Sequence, residues 1–313
     1  MSGRKENDQK NIQWIHDKLT SKPDELRSYM NHIARNKTTM TQRAYLGYLL
    51  QYLEYCSNNN LDFLKVKPMN LDSYINYLSD QGNGNKIINT KLAALISFYG
   101  FLQTNELIDK NPCSKIEKLK VEGKSQVISM SDEEVNKVKI NIATTSCRRS
   151  HKYKNRDYAI VTLGCATGLR ISEILNIDID DIDFENNTIQ VIVKGGKSRI
   201  IYFGENTRNA LETWIYDRDK ILGNSNEKAL FINPQHHRLK SGSVRDMLNK
   251  ETAMLDKHIT PHKMRSTCAM KLYEKKGDIY LVAQQLGHAN IRNTMIYAEA
   301  TEEKRREAAS ILD

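Results

Sequence analysis

The sequence predicts a mainly α-helical protein with a small antiparallel β-sheet, and two observations support this fold class. In the first third of the chain, and again after Glu205, apolar residues recur three or four positions apart, which is the spacing of one helix face. Between these regions, the β-branched run Thr188–Val193 and the segment Ser198–Phe203 are separated by Lys-Gly-Gly-Lys, a sequence typical of a hairpin turn.

The first third of the chain predicts four helices with short connections, which together favour a small helical bundle. Ser21 to Glu25 has the composition of a helix start, with a capping residue, a proline and acidic residues in the first turn. Thr38–Cys56 follows at helical spacing, Asn70 is the expected cap of a third helix, and the fourth helix is expected over Lys86–Gln103.

Residues 1–112 are therefore expected to form an N-terminal helical domain, which ends at Asn111-Pro112. Residues 113–130 are Lys-rich and weakly periodic, as in a linker, and a second domain is expected over 131–313, beginning at the capping sequence Ser-Asp-Glu-Glu. In this second domain we expect a helical stretch from Arg156 to Leu175 that is interrupted at Gly164 and Gly168, then a β segment from Ile177.

The composition limits the classes of partner and of site. A net charge of +9 favours a polyanionic partner, with nucleic acid first and an acidic membrane surface second, although a solvated basic surface explains the charge equally well. No apolar run reaches the roughly 20 residues that span a bilayer, and Met1–Lys10 is polar, so a cytoplasmic location is expected. The five cysteines form no CxxC pair, which argues against a disulfide framework or a thiolate metal site.

The C-terminal segment carries a candidate phosphate site. Thr260-Pro261 is a helix start, with threonine as the expected cap. His262 in the first turn and Arg265 three residues on share one face of this helix. The free N–H groups and the dipole at a helix N-terminus already favour an anion. Histidine and arginine at this end therefore predict that a phosphate binds here.

A histidine and a tyrosine follow on the next two helices. Asp278 is the expected cap of the helix from Ile279 to Leu286, and Gly287 is a natural helix stop directly before His288. Asn290 is expected to cap the last strong helix, which carries Tyr297, nine residues after His288. The two side chains could face each other across the bend between these helices.

Together with Ala-Thr-Gly-Leu-Arg at 166–170, these motifs resemble the tyrosine recombinase family of phage-type and Xer-like integrases. The resemblance covers the whole catalytic half in order and spacing: Thr167 to Glu173, the lysine hairpin, His262-Lys263-Met264-Arg265, Leu286-Gly287-His288 and Tyr297. The helices of residues 1–112 resemble the family's core-binding domain more loosely. The resemblance implies a helical DNA-binding domain followed by a catalytic domain with a C-terminal tail.

The same resemblance implies the roles of the site residues. Tyr297 attacks a DNA phosphate and forms a 3′-phosphotyrosyl bond, while Arg170 and Arg265 hold the non-bridging oxygens. His262 and His288 bind the phosphate and assist proton transfer, and the sequence leaves open which of them is the base. Guanidinium, lysine and imidazole groups handle the charge, so neither a metal nor another cofactor is expected.

A lysine on the hairpin is expected to protonate the leaving 5′-oxygen. Alignment with the family's hairpin favours Lys194, and Lys197 on the same turn is the alternative. By the same resemblance, Arg43 and Lys91 are candidate DNA contacts on helices that enter DNA in the family, and Lys86 and Lys197 are candidate phosphate contacts. Each of these four residues is equally well explained as part of a solvated basic face.

The predicted function is site-specific DNA recombination, as in integration or excision of a mobile element or in chromosome resolution. The implied partners are double-stranded DNA recombination sites, three further copies of the chain in a tetramer on DNA, and accessory DNA-bending proteins, with no membrane. Two alternatives remain open on the sequence: a type IB topoisomerase, which shares the chemistry without choosing a site, and a non-catalytic DNA-binding protein.

Overall fold

The computed structural model describes residues 2–121, 127–144, 152–193, 198–288 and 290–299. Contacts between Cα atoms divide the chain into two units, residues 1–124 and 125–313, each with its own apolar core. Within the described residues, no helix combines the length and the apolar character needed to cross a bilayer.

In the first unit, the regular elements among residues 2–121 are all helices. Its described helices are α1 (Ser2–Leu19), α2 (Asp24–Ala34), α3 (Thr39–Asn58), α4 (Pro68–Asp80) and α5 (Asn85–Thr104). The α3 and α5 helices contribute most of the tyrosine and leucine side chains of the core. Two buried hydroxyl groups are hydrogen-bonded inside it, since Tyr99 donates to the Phe63 carbonyl over 2.9 Å and bonds the Tyr52 hydroxyl over 2.8 Å. The buried Tyr74 hydroxyl has no hydrogen-bond partner among the described residues.

The prediction of four helices in this unit was wrong by one, because helix α1 was missed. This helix packs on α3, and its buried face combines the polar Asn11 with the apolar Ile15. Asn11 is 1% exposed and accepts a hydrogen bond from Arg43 over 2.8 Å, and Thr39 donates to Asp8. Because polar residues share the buried face with the few apolar ones, the apolar periodicity that indicates a helix is weak in this segment.

The second unit is mainly helical with one three-stranded antiparallel sheet in the order β1-β2-β3, which confirms the predicted fold class. Helix α7 packs against α6, α9 and α11, and Trp214 on α9 is fully buried in the core. The described elements of this unit are α6 (Asp132–Thr144), α7 (Lys154–Thr167), α8 (Ile171–Leu175), β1 (Ile182–Asp183), β2 (Thr188–Ile192), β3 (Ser198–Tyr202), α9 (Glu205–Leu222), α10 (Ser241–Glu251), α11 (Pro261–Lys276), α12 (Ile279–Leu286) and α13 (Met295–Glu299).

Two of the predicted helix starts are confirmed by their hydrogen bonds. Ser131 Oγ accepts from the Glu134 N–H over 3.2 Å, and Glu134 Oε2 accepts from the Ser131 N–H over 2.7 Å. Asp278 Oδ1 accepts from the N–H groups of Tyr280 and Leu281. Both carboxylates therefore lie where the positive end of a helix dipole stabilises them.

The predicted interruption at Gly164 was wrong, because α7 continues through this residue and ends only at Gly168. A Cβ atom at Gly164 would lie 3.1 Å from Met264 Cε on α11. The glycine is therefore explained by the close approach of two helices rather than by a helix break.

Four other local predictions also need correction. Helix α4 begins at Pro68, and Asn70 lies inside its first turn, where Oδ1 accepts from the Lys67 N–H over 2.8 Å. The Thr260 side chain makes no capping hydrogen bond, and Asn290 caps a 3-10 turn before the short helix α13. Between residues 177 and 184, only Ile182–Asp183 is a strand.

The predicted domain boundaries stay a prediction. Within the segment expected to be a linker, Cys113 packs into the core of the first unit and Met130 into the core of the second.

Candidate active site

Arg170 lies between two helices and is held by a buried carboxylate. Glu173 Oε2 accepts from the Arg170 backbone N–H over 2.8 Å, and Glu173 Oε1 accepts from Nη1 over 2.9 Å. The Glu173 side chain is 6% exposed and the Arg170 side chain 47% exposed. Glu173 therefore fixes one side of the guanidinium and leaves the other side accessible to an anion.

Gly168 determines how the chain turns from α7 towards Arg170. Its φ of +66° is a conformation that L side chains rarely adopt. A Cβ atom there would lie 2.7 Å from Leu286 Cδ2 and 3.2 Å from Cys268 Sγ. Only glycine leaves room for α11 and α12 to pack at this point.

Arg265 on α11 is buried, with 1% of its surface exposed. Its Nη1 donates to the Gly168 carbonyl over 2.7 Å, and its Nη2 donates to the Leu286 carbonyl over 2.6 Å. One guanidinium therefore joins the loop that leads to Arg170 with the turn that leads to His288. Burial, and after it the charge of Arg170, lowers the pKa of Arg265 to about 10, so the group remains a cation at neutral pH.

The charges of these two arginines lower the pKa values of both predicted histidines. Desolvation lowers the pKa of His262 in the first turn of α11, and Arg265 and Arg170 lower it further. For the half-buried His288, burial and then Arg265 and Arg170 lower the pKa to about 4. His288 is therefore neutral in the physiological range.

Tyr297 is 2% exposed and packs with Ala269, Val282 and Leu286 in a small apolar cluster. Its phenol acts electrostatically on Arg265 and raises the pKa of that arginine, which indicates that the two side chains are near each other. In this structure the candidate nucleophile is thus largely shielded from solvent beside a candidate phosphate ligand.

Thr294 connects His288 with Tyr297, and sequence reasoning did not single it out. Its fully buried hydroxyl forms a 2.8 Å hydrogen bond with His288 Nδ1, and its carbonyl accepts from the Tyr297 N–H over 3.0 Å. The orientation of the imidazole is therefore tied to the backbone that positions the tyrosine.

The two candidate lysines, Lys194 and Lys197, lie outside the described residues. The strand register pairs Ile192 with Ser198, so both lysines belong to the segment that connects β2 with β3. Their assignment stays a prediction.

Arg199, the second residue of β3, is a further group at this site that sequence reasoning missed. Its Nη1 donates to the carbonyls of Gln284 and Gln285, each over 3.2 Å. The signal in the sequence is its position two residues before the buried Ile201, which places an arginine on the inward face of the strand. A charged residue at such a position is uncommon.

The predicted DNA contacts of the first unit differ in accessibility. Lys86 is exposed in the first turn of α5. The Arg43 guanidinium lies 4.7 Å from the centroid of the Trp14 ring and also bonds Asn11. Lys91 is 7% exposed, burial lowers its pKa, and its Nζ donates to Asn83 Oδ1 over 3.1 Å. Lys91 would have to break this hydrogen bond before it could contact a phosphate. The DNA contacts of Lys86, Arg43 and Lys91 stay predictions.

No metal-binding group is present among the residues that the structure describes, since no three His, Cys, Asp or Glu side chains are clustered there.

Two family models and several tyrosine recombinases match this chain. Residues 103–304 match the phage integrase family, and residues 26–106 match the phage integrase N-terminal SAM-like domain. Tyrosine recombinase XerC of Oceanobacillus iheyensis is 31% identical over 88% of this chain and 90% of its own length. Tyrosine recombinase XerD of the same organism is 30% identical over 86% of this chain and 90% of its own.

Solved structures share the fold at lower identity. The XerH site-specific recombinase, in a post-cleavage complex with its palindromic difH substrate, has a TM-score of 0.77 and 22% identity, covering 97% of this chain and 89% of that one. A lambda integrase dimer bound to a core site has a TM-score of 0.68 and 17% identity, covering 89% and 95%.

The relatives are recombinases, so neither the topoisomerase nor the binding-protein alternative is favoured. The matched family models, the identity to XerC and the predicted fold class lead to one assignment: the chain belongs to the phage integrase family and is a tyrosine recombinase, an enzyme that cleaves and rejoins DNA strands.

Proposed function

We propose that this recombinase cleaves its target DNA with Tyr297 and holds the reacting phosphate with Arg170, Arg265, His262 and His288. The observation that carries the proposal is the position of Arg265, whose two hydrogen bonds join the backbone next to Arg170 with the backbone next to His288. The charges of Arg265 and Arg170 lower the pKa values of both histidines, so these four groups are gathered around one point beside Tyr297.

This arrangement suits a phosphodiester under attack. Negative charge grows on the non-bridging oxygens in the transition state, and preorganised cations near those oxygens are usually the largest contribution to catalysis. The accessible side of Arg170 offers further N–H donors for bidentate contact with a phosphate. Glu173 balances part of the positive charge and holds Arg170 before DNA arrives.

The reaction has two transesterification steps. The Tyr297 oxygen attacks phosphorus, the bond to the 5′-oxygen breaks, and the phenol proton passes to a base while the leaving oxygen takes a proton from an acid. In the second step the 5′-hydroxyl of the partner duplex attacks the phosphotyrosyl ester and releases Tyr297. The ester conserves the energy of the bond, so rejoining needs no nucleotide hydrolysis.

A neutral His288 is suited to accept a proton or to bind a phosphate oxygen. In the tautomer that donates from Nδ1 to Thr294, its Nε2 is a free acceptor. The choice between His262 and His288 as the base stays open, because desolvation and the same two arginines lower the pKa of both.

Double-stranded recombination sites are the proposed substrate. Related structures are of recombinases on DNA: XerH on its difH substrate, the Tn1549 transposon integrase on a circular intermediate DNA and lambda integrase on a core site. A net charge of +9 is compatible with a phosphate-rich partner. We further propose that four copies of the chain assemble as a tetramer on two DNA sites and that accessory DNA-bending proteins are additional partners. We also propose a cytoplasmic location. All three proposals rest on the family resemblance.

Replacing Tyr297 with phenylalanine is expected to abolish covalent attachment to DNA and to preserve DNA binding, since only the nucleophilic oxygen is lost. The measurement is formation of an SDS-resistant band on nicked suicide duplexes made from the DNA that flanks the gene. Tyr280→Phe is the matched control, because Tyr280 is 75% exposed on the neighbouring helix α12. A band that persists in Tyr297→Phe would show that another residue is the nucleophile.

The low pKa of His288 predicts how stability depends on pH. The unfolded state binds this proton near pH 6.5 and the folded state only near pH 4, so protonation favours unfolding as the pH falls through this window. We expect wild type to lose more stability than His288→Asn between pH 7 and pH 4.5. Urea unfolding followed by Trp214 fluorescence, in a Trp14→Phe background, measures this difference. Parallel stability curves for the two proteins would contradict the assigned environment of His288.

Lys194 and Lys197 are the two candidates for the general acid, and a substrate whose leaving group needs no proton distinguishes them. A 5′-bridging sulfur leaves as a thiolate, whose conjugate acid has a pKa of about 8.5, so it departs without a proton. On the oxygen substrate, Lys194→Ala is expected to cleave about 100-fold more slowly or worse, and on the sulfur substrate close to the wild-type rate. If the sulfur substrate restores the cleavage rate of Lys197→Ala and not that of Lys194→Ala, then Lys197 is the general acid.

A further inference from the structure

Arg199 reaches from β3 to the C-terminal end of α12, and no step of the proposed reaction uses it. Its single contact atom there, Nη1, donates to both the Gln284 and Gln285 carbonyls. A cation at the last carbonyls of a helix is favourable because those groups carry the negative end of the helix dipole. The guanidinium thus fixes the last turn before Gly287.

Gly287 and Arg199 fit together closely. Gly287 has a φ of +65°, and a Cβ atom there would lie 2.5 Å from Arg199 Nη1 and 3.0 Å from Cζ. The guanidinium therefore occupies the space that a side chain at position 287 would fill. Gly287 therefore has two roles: it ends helix α12, and it leaves space for the Arg199 guanidinium. The contact lies directly before His288.

The remaining nitrogen atoms of Arg199 suggest a role beyond stabilising the fold. Nε and Nη2 are buried, and they have no hydrogen-bond partner among the residues that the structure describes. Unsatisfied donors of a buried cation are unfavourable for folding, and such departures from local rules concentrate at functional sites. The neighbouring charges of Glu173 and Arg170 both influence the pKa of Arg199, which locates it beside the arginine pair of the site.

We propose that Arg199 is a positioning residue for DNA cleavage: its guanidinium holds the Gly287 turn, and through it His288, against strand β3. The inference deepens the proposed function of this site and rests on it. Because β3 begins at Ser198, directly after the segment with Lys194 and Lys197, Arg199 also ties the strand that follows the candidate general acid to the turn that carries a candidate phosphate ligand.

The test compares Arg199→Met and Arg199→Lys with wild type in single-turnover cleavage of a suicide duplex. A histidine displaced by about 1 Å is expected to lower the cleavage rate of Arg199→Met about 100-fold. Affinity for DNA, measured by gel shift, is expected to stay within about 2-fold, because Arg199 contacts the protein backbone. Arg199→Lys keeps the charge without the planar fork and is expected to fall between these values.

The dependence of the cleavage rate on pH separates positioning at the site from general stabilisation. The charged groups that act on His288 are Arg265, Arg170, His262 and Arg199, and all four lower its pKa. Loss of the Arg199 charge should raise the pKa of His288, so the acid limb of the rate profile should move to higher pH in Arg199→Met. In Arg199→Lys the limb should stay where it is in wild type.

Arg218→Met is the matched control, because the Arg218 guanidinium also donates to two backbone carbonyls, those of Glu227 and Ala229, in the same unit. This variant is expected to keep the wild-type profile and a cleavage rate within about 2-fold while it is folded.

The outcomes for the inference and for the proposed function are distinct. No covalent complex from wild type on any flanking DNA would refute the proposed function itself. A wild-type rate and profile in Arg199→Met, or an equal loss of rate in Arg218→Met, would refute the positioning role alone. If Arg199→Met fails to fold, Arg199→Lys decides: slower cleavage with an unmoved acid limb supports the role, and an unchanged rate overturns it.

Discussion

The site depends on one buried guanidinium, that of Arg265. Its two hydrogen bonds join the Gly168 turn with the end of helix α12, so the loops that carry Arg170 and His288 are held by the same side chain. An arginine that is 1% exposed would be very costly without such partners. The same residue therefore serves the fold and, in the proposed mechanism, the phosphate.

Concentrated positive charge is the second consequence of this arrangement. Arg170, Arg199 and Arg265 lie within electrostatic range of one another, and Glu173 is the carboxylate that offsets them. Burial, and after it the charges of neighbouring arginines, lowers the pKa values of Arg199, Arg265 and both histidines. A bound phosphodiester would relieve the repulsion between these cations. Their attraction to the phosphate oxygens is strongest in the transition state, where negative charge on those oxygens is greatest.

The sequence predicted what local chemistry and motif order determine. The caps at Ser131 and Asp278, the glycine stop at Gly287 and the antiparallel hairpin are properties of neighbouring residues, and the structure confirms them. Features that depend on distant residues were missed. Helix α1 was missed because polar residues occupy part of its inner face. Gly164 accommodates Met264 from another helix, and Arg199 contacts α12 from a strand 85 residues away in sequence. Burial of Lys91 likewise follows from tertiary packing.

The dual role of Arg265 is tested most directly by measuring the free energy of unfolding and the cleavage rate for Arg265→Lys beside Arg170→Lys. Lysine cannot reproduce two divergent guanidinium bonds. The account predicts that Arg265→Lys loses about 2 kcal/mol or more of stability along with cleavage, because buried charged hydrogen bonds are broken. Arg170→Lys should lose cleavage while its stability changes by less than about 0.5 kcal/mol, since that side chain is half exposed. Equal effects of the two substitutions on stability would contradict the account.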